Sequence, residues 1–183
     1  MIGRDPAIAL RHTRGWVRDL VRSGLLPPEQ EYAEVREVVA EDHPDLLADE
    51  TARAWIDDAR RQWREEATGW PERTDYDALQ AAFARLDGTG IPVLQGCTDH
   101  WAAKARLEEG RCRGVAWFTP QDVWHAIDEA MLEVNLWHPT TANAAPGDAL
   151  LDEVLGVFAD RGLPAHFDEG RIEVTARWHR RPG

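Results

Sequence analysis

The chain has 183 residues, a hydrophobic fraction of 43% and nine tryptophans, enough for one globular core, or a small domain with an appendage. Its net charge of −12 argues against free nucleic acid as a partner, because phosphate binding needs a basic surface. No apolar run approaches the roughly 18–20 residues that span a bilayer, and Met1-Ile2-Gly3-Arg4-Asp5-Pro6 lacks the basic-then-apolar pattern of a secretory leader. The expectation is a cytoplasmic protein with no membrane association.

Residues 5–23 read as a first helix. Asp5 suits its cap and Pro6 its first turn; Leu10, Thr13, Val17, Leu20 and Val21 recur at helical spacing, and Ser23-Gly24 supplies a stop. Arg11, Arg14, Arg18 and Arg22 share one face, which is expected to pair with the acid-rich residues 29–50. Pro27-Pro28 breaks the chain. A second helix follows over 29–42, its stripe being Tyr32, Val35, Val38 and Val39. His43-Pro44 ends it. Asp45 is the expected cap of a third helix running to about Thr68, with Ala52, Trp55, Ile56, Ala59 and Trp63 inward.

The segment Trp70-Pro71-Glu72-Arg73-Thr74-Asp75-Tyr76-Asp77-Ala78-Leu79 divides the helical first part from a second part that alternates strands and helices. Thr74 or Asp75 caps a fourth helix, and Asp75 and Asp77 fall in its first turn, where the helix dipole favours anions. An acid–base pair is the rival reading of those two aspartates; capping explains them without catalysis. Leu79, Ala82, Phe83 and Leu86 form the stripe.

Ile91-Pro92-Val93-Leu94 reads as a short strand, its proline marking an edge or a strand start. A helix over about 99–109 is expected to turn Trp101, Ala105 and Leu107 inward. Gly114–Phe118 is apolar throughout, as a central buried strand tends to be. Thr119-Pro120-Gln121-Asp122 is a strong helix start, leading into Val123, Ala126 and Ile127. Met131–Trp137 alternates and reads as a strand. Pro146-Gly147-Asp148 opens a last helix with Leu151, Val154, Leu155 and Phe158 inward. Ala165-His166-Phe167 and Ile172–Ala176 pair as a hairpin, whose loop Asp168-Glu169-Gly170 suits a three-residue turn. The tail from His179 is polar and expected to fray.

Named catalytic motifs are lacking. There is no phosphate-binding loop and no Gly-x-Gly-x-x-Gly after a strand. There is no Gly-x-Ser-x-Gly elbow, and the single serine, Ser23, sits at a helix end. Cys97 and Cys112 form no Cys-x-x-Cys pair and fall short of a structural zinc site; a disulfide is unusual in a reducing cytoplasm. The tightest polar cluster is Cys97-Thr98-Asp99-His100, at a strand-to-helix boundary where ligands often sit in α/β units. Cys97 with His100 or His125 could form a thiolate–imidazole pair, or Cys97, Asp99 and His100 a metal site. The bland alternative is a loop with a helix cap and a packed thiol. Trp124 and Trp137 fall off the inward stripes; they mark either an exposed recognition surface or a second, covered sheet face.

The pattern Trp70-Pro71-x-x-Thr74-Asp75-x-Asp77-x-Leu79, followed by Ala82-Phe83, Leu86 and Gly90-Ile91, resembles an uncharacterised bacterial family, domain of unknown function 6891. The resemblance extends from Arg22-Ser23-Gly24 to the Gly114–Phe118 strand and the C-terminal hairpin, which is most of the chain. The family's common form has a cysteine-rich stretch after the Gly-Ile strand. This chain departs from it with Cys97-Thr98-Asp99-His100-Trp101-Ala102-Ala103. Any metal or redox role of those cysteines in relatives is therefore in doubt here, and no catalytic residue carries over.

The expected fold is α+β. A helical segment over 1–69 packs on a mixed sheet of about five strands flanked by helices over 70–183, with a C-terminal β-hairpin, as one compact unit. The leading functional expectation is a small acidic binding or regulatory protein without catalytic turnover, with a protein partner and no cofactor. The alternative is a metal- or thiol-dependent enzyme centred on Cys97, Asp99 and His100. A further alternative is an immunity-like protein masking a basic partner.

Overall fold

A computed structural model describes residues 6–182; the expected cap Asp5 lies outside them. The chain divides into two compact units, one of residues 1–70 with 180–183, the other of residues 71–179.

The first unit is helical. Its helices are α1 (Pro6–Ser23), α2 (Pro28–Asp42) and α3 (Ala48–Ala67). Both α1 and α2 pack on α3 because each presents an apolar stripe with nowhere else to go. The shared core is Val17, Leu20, Val21, Val35, Val39, Ala52, Ile56, Ala59 and Trp63, bordered by Trp16, Tyr32 and Trp55. The expected stripes supply this core, except that Leu10 and Val38 are half-buried and not part of it.

Three local expectations in this unit are corrected. Asp45 does not cap α3: its N-cap is Leu47, with no side-chain hydrogen bond. The basic face of α1 pairs with α3 rather than with residues 29–50. Arg14 meets Asp58 at 3.1 Å and Arg22 meets Glu66 at 2.5 Å. The acids of α2 face other partners; Glu31, almost buried, takes Arg60 of α3 at 2.6 Å. Finally, the tail does not fray at Arg180. Its Nη2 donates to the Val21 carbonyl at 3.4 Å.

The second unit contains α4 (Asp75–Gly88), β1 (Val93–Leu94), α5 (Trp101–Glu108), β2 (Val115–Trp117), α6 (Pro120–Asp128), β3 (Met131–Trp137), α7 (Ala149–Ala159), β4 (Ala165–Asp168) and β5 (Arg171–Thr175). The five strands form one sheet in the order β1-β2-β3-β5-β4. The β1–β2 pair is parallel and the rest are antiparallel. With seven helices among the described residues and a mixed sheet, the fold is α+β.

Capping boxes start α4 and α6. Thr74 accepts from the Asp77 amide while Asp77 accepts from the Thr74 amide; Thr119 and Asp122 do the same. Each box satisfies two amides that the first helical turn leaves open. Asp77 is thereby committed to structure, and Asp75 accepts from the Arg177 amide at 2.9 Å.

Register decides which face of the sheet is core. Leu132 lies opposite Val174, Val134 opposite Ile172, and Ala116 opposite Leu136. Alternation puts these on one face, and all are buried. Phe83, Phe118 and Phe158 are also buried; the Phe83 ring meets Phe118 at a tilt, centroids 5.6 Å apart, and Phe158 edge to face at 6.3 Å. The other face carries two different surfaces. At one end lie Val115, Trp117 and Trp137, against which Ala103 and Leu107 of α5 pack. At the other end is a charged strip, where Arg171 bridges Glu133 at 2.5 Å and Asp122 at 3.7 Å.

The β4–β5 turn also differs from expectation. Asp168 pairs directly with Arg171, leaving a two-residue loop. Glu169 and Gly170 both have positive φ, 43° and 93°, as a type I′ turn requires.

Candidate functional site

The Cys97–His100 segment leaves the sheet after β1 and enters α5. The Cys97 amide donates to the Phe118 carbonyl at 2.9 Å, which fixes the loop to the end of β2. The Cys97 thiol lies 3.8 Å from the Leu94 carbonyl, its hydrogen-bond acceptor. Burial pushes the Cys97 thiol above its ordinary value, and the nearby Asp99 carboxylate adds to the rise. Both effects disfavour thiolate, the form that attacks electrophiles and binds metals.

Asp99 is spent locally. Its Oδ1 accepts from the Trp101 amide at 2.8 Å, one of the open donors of the α5 first turn. His100 is the N-cap residue of α5, and its ring contacts are with tryptophans. It stacks on Trp101, centroids 4.6 Å apart and planes inclined by 33°, and sits 6.1 Å from the Trp137 ring. His125, the other histidine considered as a partner, and His138 have other surroundings. His125 is exposed on α6, and His138 Nε2 lies 2.9 Å from Asp148 Oδ2. That contact, with the Ala145 amide, holds the Asp148 carboxyl below its ordinary range. Cys112 is the second half-buried thiol, 3.7 Å from the Arg106 carbonyl. Among the described residues, no three His, Cys, Asp or Glu side chains gather as ligands for a metal ion.

What this region does assemble is a line of rings. Trp117, buried, meets Trp137 edge to face at 5.3 Å; Trp137 leads to His100, and His100 to Trp101. Among the described residues the Trp117 indole N–H has no hydrogen-bond acceptor. At the outer end, Trp101 is 58% exposed. Lys104, one turn along α5, places Nζ 5.1 Å from the centre of the Trp101 ring. An exposed tryptophan is thus in contact with both an imidazole and an ammonium group.

This corrects the expected orientation of α5. Side chains advance by about 100° per residue, so Ala103 and Leu107 share a face, and Trp101 lies well away from it. Ala103 and Leu107 are the buried pair; Ala105 is exposed. The spacing of Ala103 and Leu107, four residues apart, was the available signal. The bulk of Trp101 concealed it. Trp124 and Trp137 are half-buried, and Trp137 belongs to the sheet face that α5 covers.

The second unit is therefore a small mixed-sheet module with an aromatic surface beside its edge strand. The family described as domain of unknown function (DUF6891) matches residues 7–182, nearly the whole chain, and the protein belongs to that family. No curated protein and no solved structure matches it. No helix among the described residues is long and apolar enough to cross a membrane.

Proposed function

We propose that this is an acidic cytoplasmic binding protein, without catalytic turnover, that docks a basic protein partner on the surface centred on Trp101. One observation carries the reading: Trp101 is 58% exposed yet held by His100 and Lys104. A large ring on the surface contributes little to folding. Tryptophan is, however, among the residues that carry most binding energy at protein interfaces, and one already held in place loses little freedom on docking. Trp137 and Trp117 back the surface with rigid rings. The net charge of −12 favours approach of a basic partner. Immunity-like masking of a basic protein is one form of this reading. The resting chemistry of Cys97 and Asp99, a protonated thiol and a committed helix-end carboxylate, lends no support to turnover.

The test is affinity capture from the lysate of the encoding organism on immobilised wild-type protein and on the Trp101→Ala variant. A basic protein retained by the wild type, lost with the variant and released by salt is the expected result. Identical captured sets from the two columns would overturn the reading.

A further inference from the structure

Strand β4 is an edge of the sheet, paired on one side only, with β5. The register fixes which of its main-chain groups that pairing uses. Asp168 lies opposite Arg171 at the turn, and at the other end the Thr175 amide donates to the Pro164 carbonyl at 2.8 Å. Hydrogen-bonded pairs recur every second residue in an antiparallel ladder, so His166 and Asp168 direct their amides and carbonyls to β5. Those of Ala165 and Phe167 point outward, and among the described residues no other backbone meets them. The opposite edge, β1, is two residues long and follows Pro92, a common protection of an open edge. Within β4 there is neither proline nor lysine.

We infer that the outer edge of β4 pairs with β4 of a second copy of this chain, antiparallel, with Phe167 opposite the second copy's Phe167. The side chains single out that occupant and that register. The two phenylalanines exchange N–H and C=O, and His166 falls opposite the second copy's Asp168, while Asp168 falls opposite its His166. Within one chain, His166 lies opposite Glu173, with Nε2 3.4 Å from Oε2, and Asp168 lies opposite Arg171. Alternation puts all four on one face. The row across the seam then reads Glu173, His166, the second copy's Asp168 and its Arg171. Acid and base alternate along it, and symmetry supplies the row twice. Opposite charges facing each other across strands favour pairing, and like charges oppose it. On the other face Phe167 is half-buried opposite Ile172, and the seam covers more of both rings. Sliding the seam until Ala165 meets Phe167 sets His166 against His166 and loses both charge pairs.

A four-residue strand makes a small seam beside the roughly 800 Å² per partner of a standard interface. The charge of −12 on each copy also opposes association. The dimer is therefore weak, with a Kd of about 100 μM.

Sedimentation equilibrium of the full-length protein, from about 5 to about 500 μM in about 0.15 M salt, tests the pairing. The wild type is expected to dimerise with that Kd. His166→Asp sets two acids against each other across the seam, and Asp168→Lys sets two bases. Each alone should weaken dimerisation about tenfold. An equimolar mixture of the two variants should recover it, because the aspartate introduced in one chain then faces the lysine introduced in the other. Recovery also shows that both variants are folded. A wild type that stays monomeric overturns the proposal. So does a dimer that either variant leaves undiminished, or a mixture that associates no better than the variants alone.

Discussion

Arg180 lies across the indole of Trp63, its guanidinium carbon 4.5 Å from the ring centre. The contact needs Gly24. That residue has φ +60°, and a Cβ there would fall about 2 Å from the Arg180 guanidinium. A long side chain can swing away, so the clash itself is cheap. What Gly24→Ala loses is the stacked contact, together with the strain of alanine at positive φ. We expect about 2 kcal/mol of destabilisation in urea unfolding. Arg180→Ala should cost about 1 kcal/mol, and the double variant less than the sum, since each change removes the same contact. Full additivity would mean that Arg180 contributes nothing through Gly24.

Glu31 predicts an asymmetry. Burial raises its carboxyl above the ordinary 4.5, outweighing the Arg60 guanidinium that lowers it. The folded state then keeps the proton at pH values where the unfolded chain has released it. Stability should accordingly fall as pH rises from about 4.5 through the folded value. Glu31→Gln should flatten that part of the stability-versus-pH curve at little cost at neutral pH. Arg60→Ala, which strands the carboxylate, should cost about 2 kcal/mol, less than for a fully buried pair because Arg60 is partly exposed. Denaturant midpoints across the pH range read both.

Cys97 should behave as an unreactive thiol. In a Cys112→Ser background, iodoacetamide labelling is expected to be slower than for a free cysteine at about pH 7.5, accelerating only above about pH 9. Asp99→Asn should speed it modestly by removing the smaller of the two effects that raise the thiol. Fast labelling at neutral pH would reopen a nucleophilic role.

Two tryptophans on the same line of rings should respond oppositely. Trp117→Ala empties a buried position and is expected to cost about 3–5 kcal/mol. Trp101→Ala should change thermal stability by less than about 0.5 kcal/mol. A large loss from Trp101→Ala would make it a packing residue and remove the ground for a docking role.

The β4–β5 turn carries Glu169 in a left-handed conformation that asparagine and glycine adopt more readily. Glu169→Asn should raise stability by about 0.5–1 kcal/mol, measured by thermal unfolding. No gain would show that the Glu169 side chain compensates in place.

The features legible in the sequence were those set by neighbours along the chain. Thr74 with Asp77, and Thr119 with Asp122, are three-residue spacings that specify a helix start almost without context. The alternation of Met131–Trp137 gave both the strand and its buried face. What was not legible depends on partners distant in the sequence. Charge density pointed Arg14 and Arg22 to residues 29–50, but α3 is the helix that α1 touches. Asp45 has the right chemistry for a cap, yet α3 begins three residues later. Trp101 and Ala105 are expected inward with Leu107, although the angular position of Ala103 and Leu107 places Trp101 outside. The Cys97–His100 cluster was correctly located at a strand-to-helix boundary. Its side chains engage a carbonyl, an amide and an indole separately, which no spacing rule could reveal.

The sheet order has a consequence for the time course of folding. Strand β5 lies between β3 and β4, so Arg171–Thr175 fill an interior slot that stays open until they are made. Arg180, which closes over Trp63, comes later still. Each unit thus waits for a piece encoded near residue 180. A nascent chain ending at Gly162 holds α1 to α3 without their closing arginine, and β3 with a bare edge toward the missing β5. Ribosome-bound intermediates of that length are where this protein is most open to aggregation and to chaperones.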